Sequence, residues 1–140
     1  MIKLDELGHP AARQYTLPHT IAWSERVDAA DAFNFVTPEY NHSYSPALKN
    51  AIDFLKQEWD HTPVGFVSYG ASAAGTRGVA ALDSVLSFMG MRKVAPSVDI
   101  SSVGTRVVTD TFVAEAREVE TLTAQLAQLT SYSELFVTVR

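Results

Sequence analysis

Three times in succession the chain passes from a short apolar run, through a loop of turn-forming or small residues, into a helical stripe. The runs are Ala32 to Val36, Val64 to Tyr69 and Val94 to Ile100. Apolar runs without polar alternation are expected of strands buried on both faces, as in a parallel sheet. Strands and helices alternating at this spacing imply βαβ units, hence an α/β domain with a parallel sheet and helices on both faces.

The helical stripes are specific. Leu48, Ala51, Ile52, Leu55 and Trp59 predict one helical face, with Lys49, Asp53, Lys56 and Asp60 able to pair along the other. Val79, Leu82, Val85, Leu86 and Met89 predict a helix over 76–89, stopped by Gly90. Phe112, Ala116, Val119, Leu122, Leu126 and Leu129 predict a last helix over 111–130. Pro96 favours a strand start or a sheet edge for the third run. Upstream, Ile2 to Leu7 reads as a short strand or strand end, 11–18 as a loop, and His19 to Ala30 as a modest helix with Trp23 beside its stripe. The tail from Ser131 onward is ambiguous, since Leu135, Phe136 and Val137 suit either a strand or a fraying end. No repeat or low-complexity segment occurs, and 140 residues suit one domain, 1–140, with a real core.

Composition narrows the function. With a net charge of −5 and no basic run beyond Arg92-Lys93, no nucleic-acid footprint is visible. The absence of cysteine removes disulfides, thiolate metal sites and a cysteine nucleophile together. His9, His19 and His61 are too scattered for a metal site. No apolar run reaches the roughly 20 residues needed to cross a bilayer, and no secretory leader is evident, so no membrane partner and a cytoplasmic location are expected.

Ligands of parallel sheets bind at the carboxyl ends of the strands. That rule selects two loops, Thr37 to Pro46 and Gly70 to Gly75, where proline fixes the path or small residues allow close approach. The run Thr37-Pro38-Glu39-Tyr40-Asn41, followed by Ala47-Leu48-Lys49-Asn50-Ala51-Ile52-Asp53, resembles the NADPH-dependent FMN reductase family. So does Val67-Ser68-Tyr69-Gly70 with Gly75 and Arg77; the similarity covers about residues 1 to 100. It implies a flavodoxin-like fold and an FMN cofactor reduced by NADPH or NADH, with a small-molecule electron acceptor such as a quinone. Implied cofactor-binding residues are Pro38, Glu39, Tyr40, Asn41 and Tyr44 in the first loop, and Tyr69, Gly70, Ala71 and Gly75 in the second. The flavin carries the chemistry, so no side chain is assigned as catalytic. A homodimer or higher homo-oligomer, paired through the helix from Ala47 to Trp59, is also implied.

One part of the family pattern is not present. The Gly-Ser-x-Arg loop that wraps the FMN phosphate has no counterpart, and Met1 falls where the family is already in its second strand. The first strand and helix are therefore expected to be missing. Truncation, gap closure by partner strands, and a fold kept without full cofactor binding all remain open, as does a non-catalytic or weakly flavin-binding assembly or sensor module. Several residues also have plainer readings. Pro38-Glu39 suits an ordinary helix approach, Asn41 a turn cap, and Tyr44 packing beneath the loop. His42 suits a solvent-facing loop, Lys49 and Asn50 a solvated helix face, and Arg77 a helix surface rather than an anchor for a nicotinamide-cofactor phosphate.

Overall fold

A computed structural model describes residues 4–136. The central strand is β3 (Pro63–Tyr69), paired in parallel with β1 (Phe33–Tyr40) on one side. On its other side lie β4 (Arg92–Lys93) and then β5 (Val98–Ile100), also parallel. A two-residue strand β2 (Ser43–Tyr44) folds back antiparallel on the end of β1. The α/β class and the parallel core of the sheet are as expected.

Aromatic residues fill one face. Phe33 and Phe35 of β1 meet the Trp59 ring at centroid distances of 5.2 and 6.2 Å, and Phe66 meets Phe35 at 5.6 Å. Helices α1 (Pro18–Asp28), α2 (Pro46–Asp53) and α3 (Thr76–Met89) supply Val27, Ile52, Leu82 and Leu86 to this core. Helix α4 (Ala116–Phe136) lies on the other face. It is held there by Gln125, whose Nε2 donates to the carbonyls of Phe66 (2.9 Å) and Pro96 (2.7 Å). Its Oε1 accepts from Asn34 Nδ2 at 2.8 Å.

Several expected elements have different bounds. Residues 4–7 of the expected first strand are irregular and Leu7 is exposed; residues 1–3 lie outside the described set. A short 3-10 turn at Pro10–Ala12 interrupts the expected 11–18 loop. The first apolar run is not buried on both faces, since Val36 is 67% exposed. Nor does it stop at Val36: β1 continues through Pro38 to Tyr40. The helix expected to reach Trp59 ends at Asp53, and Trp59 arrives in the core through a 3-10 turn, Gln57–Trp59. The buried carboxylate of Glu58 accounts for the break. It accepts from the backbone N–H of Lys56 at 3.2 Å, and from Ser24 Oγ at 2.7 Å. Burial opposes its ionisation, yet these hydrogen bonds hold its pKa below the usual carboxylate value. Of the expected pairs, Lys49–Asp53 forms at 2.5 Å, whereas Lys56 reaches instead to the Phe88 carbonyl.

The third run divides into β4 and β5 around Pro96, which has no N–H to offer a ladder. The last helix begins at Ala116 rather than Thr111. Thr111–Phe112 instead forms β7, paired antiparallel with β6 (Val107–Val108). Thr109 and Asp110 both take positive φ between them, the geometry of a tight hairpin. Leu135 and Phe136 continue α4; Val137 lies outside the described residues.

Candidate functional site

The carboxyl ends of β1, β3 and β5 are level. Pro38 is in register with Tyr69, and Tyr69 with Ile100. One step earlier Thr37, Ser68 and Asp99 form a row, in which Ser68 Oγ donates to Asp99 Oδ1 at 3.1 Å. The two segments singled out in the sequence thus meet side by side, as two walls of one strand-end edge.

The first wall is a hairpin rather than an open loop. Tyr40 pairs with Ser43 and Glu39 with Tyr44, and Asn41 and His42 at the tip have φ of 48° and 66°. Two consecutive left-handed residues give the turn that matches the twist of a two-residue hairpin. Tyr40 is 54% exposed, Asn41 and His42 lie at the surface, and Tyr44 packs against the aromatic core. Glu39 is nearly buried and pairs with Arg77 Nη2 of α3 at 2.5 Å. This hydrogen bond from Arg77 holds the Glu39 pKa below the usual carboxylate value. Arg77 Nη1 also donates to His42 Nε2 at 3.0 Å. The guanidinium therefore faces the hairpin.

The second wall is the turn from Tyr69 to Gly75. Gly75 has φ of 82°, and a Cβ there would lie 2.9 Å from both the N and the O of Tyr69. Only glycine suits a left-handed position pressed against backbone in this way. Gly70 N–H donates to Ile100 O at 3.1 Å, while Gly70 O and Ala71 O accept from Val103 and Ser102. Among the described residues the backbone N–H groups of Ala71, Ser72 and Ala73 donate to nothing, and Ala71 and Ser72 are exposed. Three adjacent free donors on a rigid turn can serve a carbonyl-bearing ring edge.

Beside these walls, on the α4 side of the sheet, lies an apolar groove of about 380 Å³. Val36, Val67 and Val98 form its floor, Tyr69 and Ile100 one end, and Phe112 and Val119 the far side. Ile100, Val103 and Phe112 were not among the site residues expected from the sequence. The Thr109-Asp110 turn between two β-branched or aromatic pairs was the available signal for that hairpin. No cluster of His, Asp or Glu among the described residues could hold a metal.

Parallel strands with level carboxyl ends, a glycine-closed turn and helices on both faces define a flavodoxin-like α/β domain. Residues 3–105 match the model of the NADPH-dependent FMN reductase family, and the chain belongs to that family. It is 44% identical over 96 residues to an NAD(P)H-dependent FMN reductase of Schizosaccharomyces pombe, covering 67% of this chain and 47% of that one. An NAD(P)H:quinone oxidoreductase of Solanum tuberosum is 36% identical over 63 residues, 43% of this chain and 32% of its own length. The chain thus spans about half or less of these curated relatives. The solved structure of FerB, a flavoenzyme NAD(P)H:(acceptor) oxidoreductase from Paracoccus denitrificans, superposes with a TM-score of 0.72. That match has 21% identity and covers 94% of this chain and 77% of FerB, and it supports the fold.

Proposed function

We propose that the chain is the ring-binding part of an FMN-dependent NAD(P)H oxidoreductase that delivers a hydride through the flavin to a quinone-like acceptor. The observation that carries this reading is the strand-end edge where Pro38 and Tyr69 are neighbours beside the free amides of Ala71 to Ala73. Those donors suit the carbonyl edge of an isoalloxazine ring, and the hairpin from Tyr40 to Tyr44 offers a second, largely backbone wall. Pro38, Glu39, Tyr40, Asn41, Tyr44, Tyr69, Gly70, Ala71 and Gly75 form this site. Glu39 and Tyr44 act from behind, since their side chains go to Arg77 and to the core. When bound, the flavin supplies the hydride chemistry; the protein's share is to orient it and to shield it from water. Membership of the FMN reductase family and likeness to quinone oxidoreductases support the cofactors and the acceptor class.

A cytoplasmic location accompanies this reading. No described helix is long and apolar enough to cross a membrane. A homodimer is supported by the apolar groove and by the outer edge of β1, which from Phe33 to Pro38 has no strand partner among the described residues. That same open edge favours a second reading, an assembly module that binds FMN weakly or not at all. Titration of the purified protein with FMN, followed by NADPH oxidation with a quinone, separates the two. Bound flavin with an absorbance band near about 450 nm and quinone-dependent turnover support the enzyme. No binding heat at saturating FMN together with no NADPH oxidation refutes it.

A further inference from the structure

We infer that Arg77 is the positioning residue that locks the two walls of the ring site to each other. This inference rests on the flavin reading for its ligand and on geometry for its mechanism. Arg77 stands in the first turn of α3, two residues after Gly75 closes the second wall. From there its guanidinium spans the first wall at two points, Glu39 on the strand and His42 at the hairpin tip, at 2.5 and 3.0 Å. The planar fork makes this possible, because its donors point in fixed and different directions.

Independent features show that the hairpin rests on α3 rather than standing free. Gly78, one residue beyond Arg77, lies so close that a Cβ would sit 2.8 Å from Ser43 O and 3.6 Å from Glu39 Cα. The tip also holds a histidine at positive φ, a conformation that a side chain with a Cβ seldom takes. Its Nε2 accepts from Arg77, which fixes the proton on Nδ1 and anchors the turn. Glu39 Oε2 is buried with no hydrogen bond among the described residues, so Arg77 is the contact that offsets the cost of burying this carboxylate. Through these two contacts Arg77 acts on a ligand by way of the two walls.

The test compares R77A and R77K with the wild-type full chain, with D83N as control. Asp83 pairs with Lys93 elsewhere on α3 and leaves the hairpin alone. Amide hydrogen exchange over Tyr40 to Tyr44 reads the lock without a ligand; the FMN Kd and the shape of the bound-flavin absorbance band read its effect on the site. R77A is expected to speed hairpin exchange about tenfold and to raise the FMN Kd about tenfold with an altered band. R77K falls between, because one ammonium cannot span Glu39 and His42 together, and D83N matches wild type. Unchanged hairpin exchange in R77A overturns the lock. Faster exchange with an unchanged Kd and band shows a merely structural contact and overturns the positioning role. Wild-type protein that binds no FMN refutes the flavin reading and the ligand half of this inference, while exchange still decides the lock.

Discussion

Replacing Gln125 isolates what holds α4 to the sheet. The side chain is fully buried and bridges three places: Asn34 on β1, Phe66 on β3 and Pro96 between β4 and β5. Leucine has a similar volume, so Q125L leaves no large cavity and removes three hydrogen bonds. Pro96 is exposed and half-buried Asn34 lies beside it in burial, so both can turn partly to water. Phe66 is fully buried, and its carbonyl loses the amide with no solvent to replace it. At about 1 kcal/mol net per lost bond, with about 1–3 for a buried orphan and some gain from apolar burial, the expected loss is about 2–3 kcal/mol. With a urea slope of about 2 kcal/mol per molar, the midpoint falls by about 1 M at unchanged slope. Q125E is expected to be worse at neutral pH, because a carboxylate cannot donate to either carbonyl. Burial and those two acceptors raise its folded pKa above the unfolded value. Its excess cost over Q125L is therefore absent below about pH 4 and sets in as pH rises. A Q125L loss under about 0.5 kcal/mol, or a Q125E excess that grows on acidification, would refute the account.

Other outcomes follow from single contacts. G75A places a methyl 2.9 Å from Tyr69 backbone at φ of 82°, and should cost about 1–3 kcal/mol in thermal or urea unfolding and weaken FMN binding. The Thr16 hydroxyl, at 2.6 Å, together with the Thr16 and Leu17 amides, lowers the Glu6 pKa to about 2. Its stabilising contribution is present above the usual value of 4.5 and lost as pH falls from there toward about 2. E6Q should accordingly flatten that part of the acid limb in a urea midpoint series. K49A, which removes an i,i+4 pair on a partly exposed face, should move stability by less than about 0.5 kcal/mol.

The strand-loop-helix succession and the helix over Thr76 to Met89 were legible because each was set by local pattern and closed by Gly75 and Gly90. Both site segments were legible for a similar reason: they stand where strands end. Other features depended on contacts distant in sequence. Glu58 ends α2 by reaching back to Lys56 while Ser24 supports it, and no periodicity announces that. The last helix holds the expected stripe from Ala116 onward, but Phe112, which falls at helical spacing from Ala116, pairs with Val107 in a hairpin instead. Arg77 does lie on the helix surface as read, but its partners Glu39 and His42 precede it by more than thirty positions, so its contacts were not legible.

The outer edge of β1 has a physical consequence beyond any ligand. Between Phe33 and Pro38 alternate residues turn their amides and carbonyls away from β3, beside a valine whose side chain is mostly in solvent. Such an edge is a template, and each strand that joins it presents a new edge in turn. Pro38 interrupts the template, because it brings no N–H to the ladder at that position. The same ring that shapes the strand end beside Tyr69 thereby also limits how far uncontrolled strand addition can run.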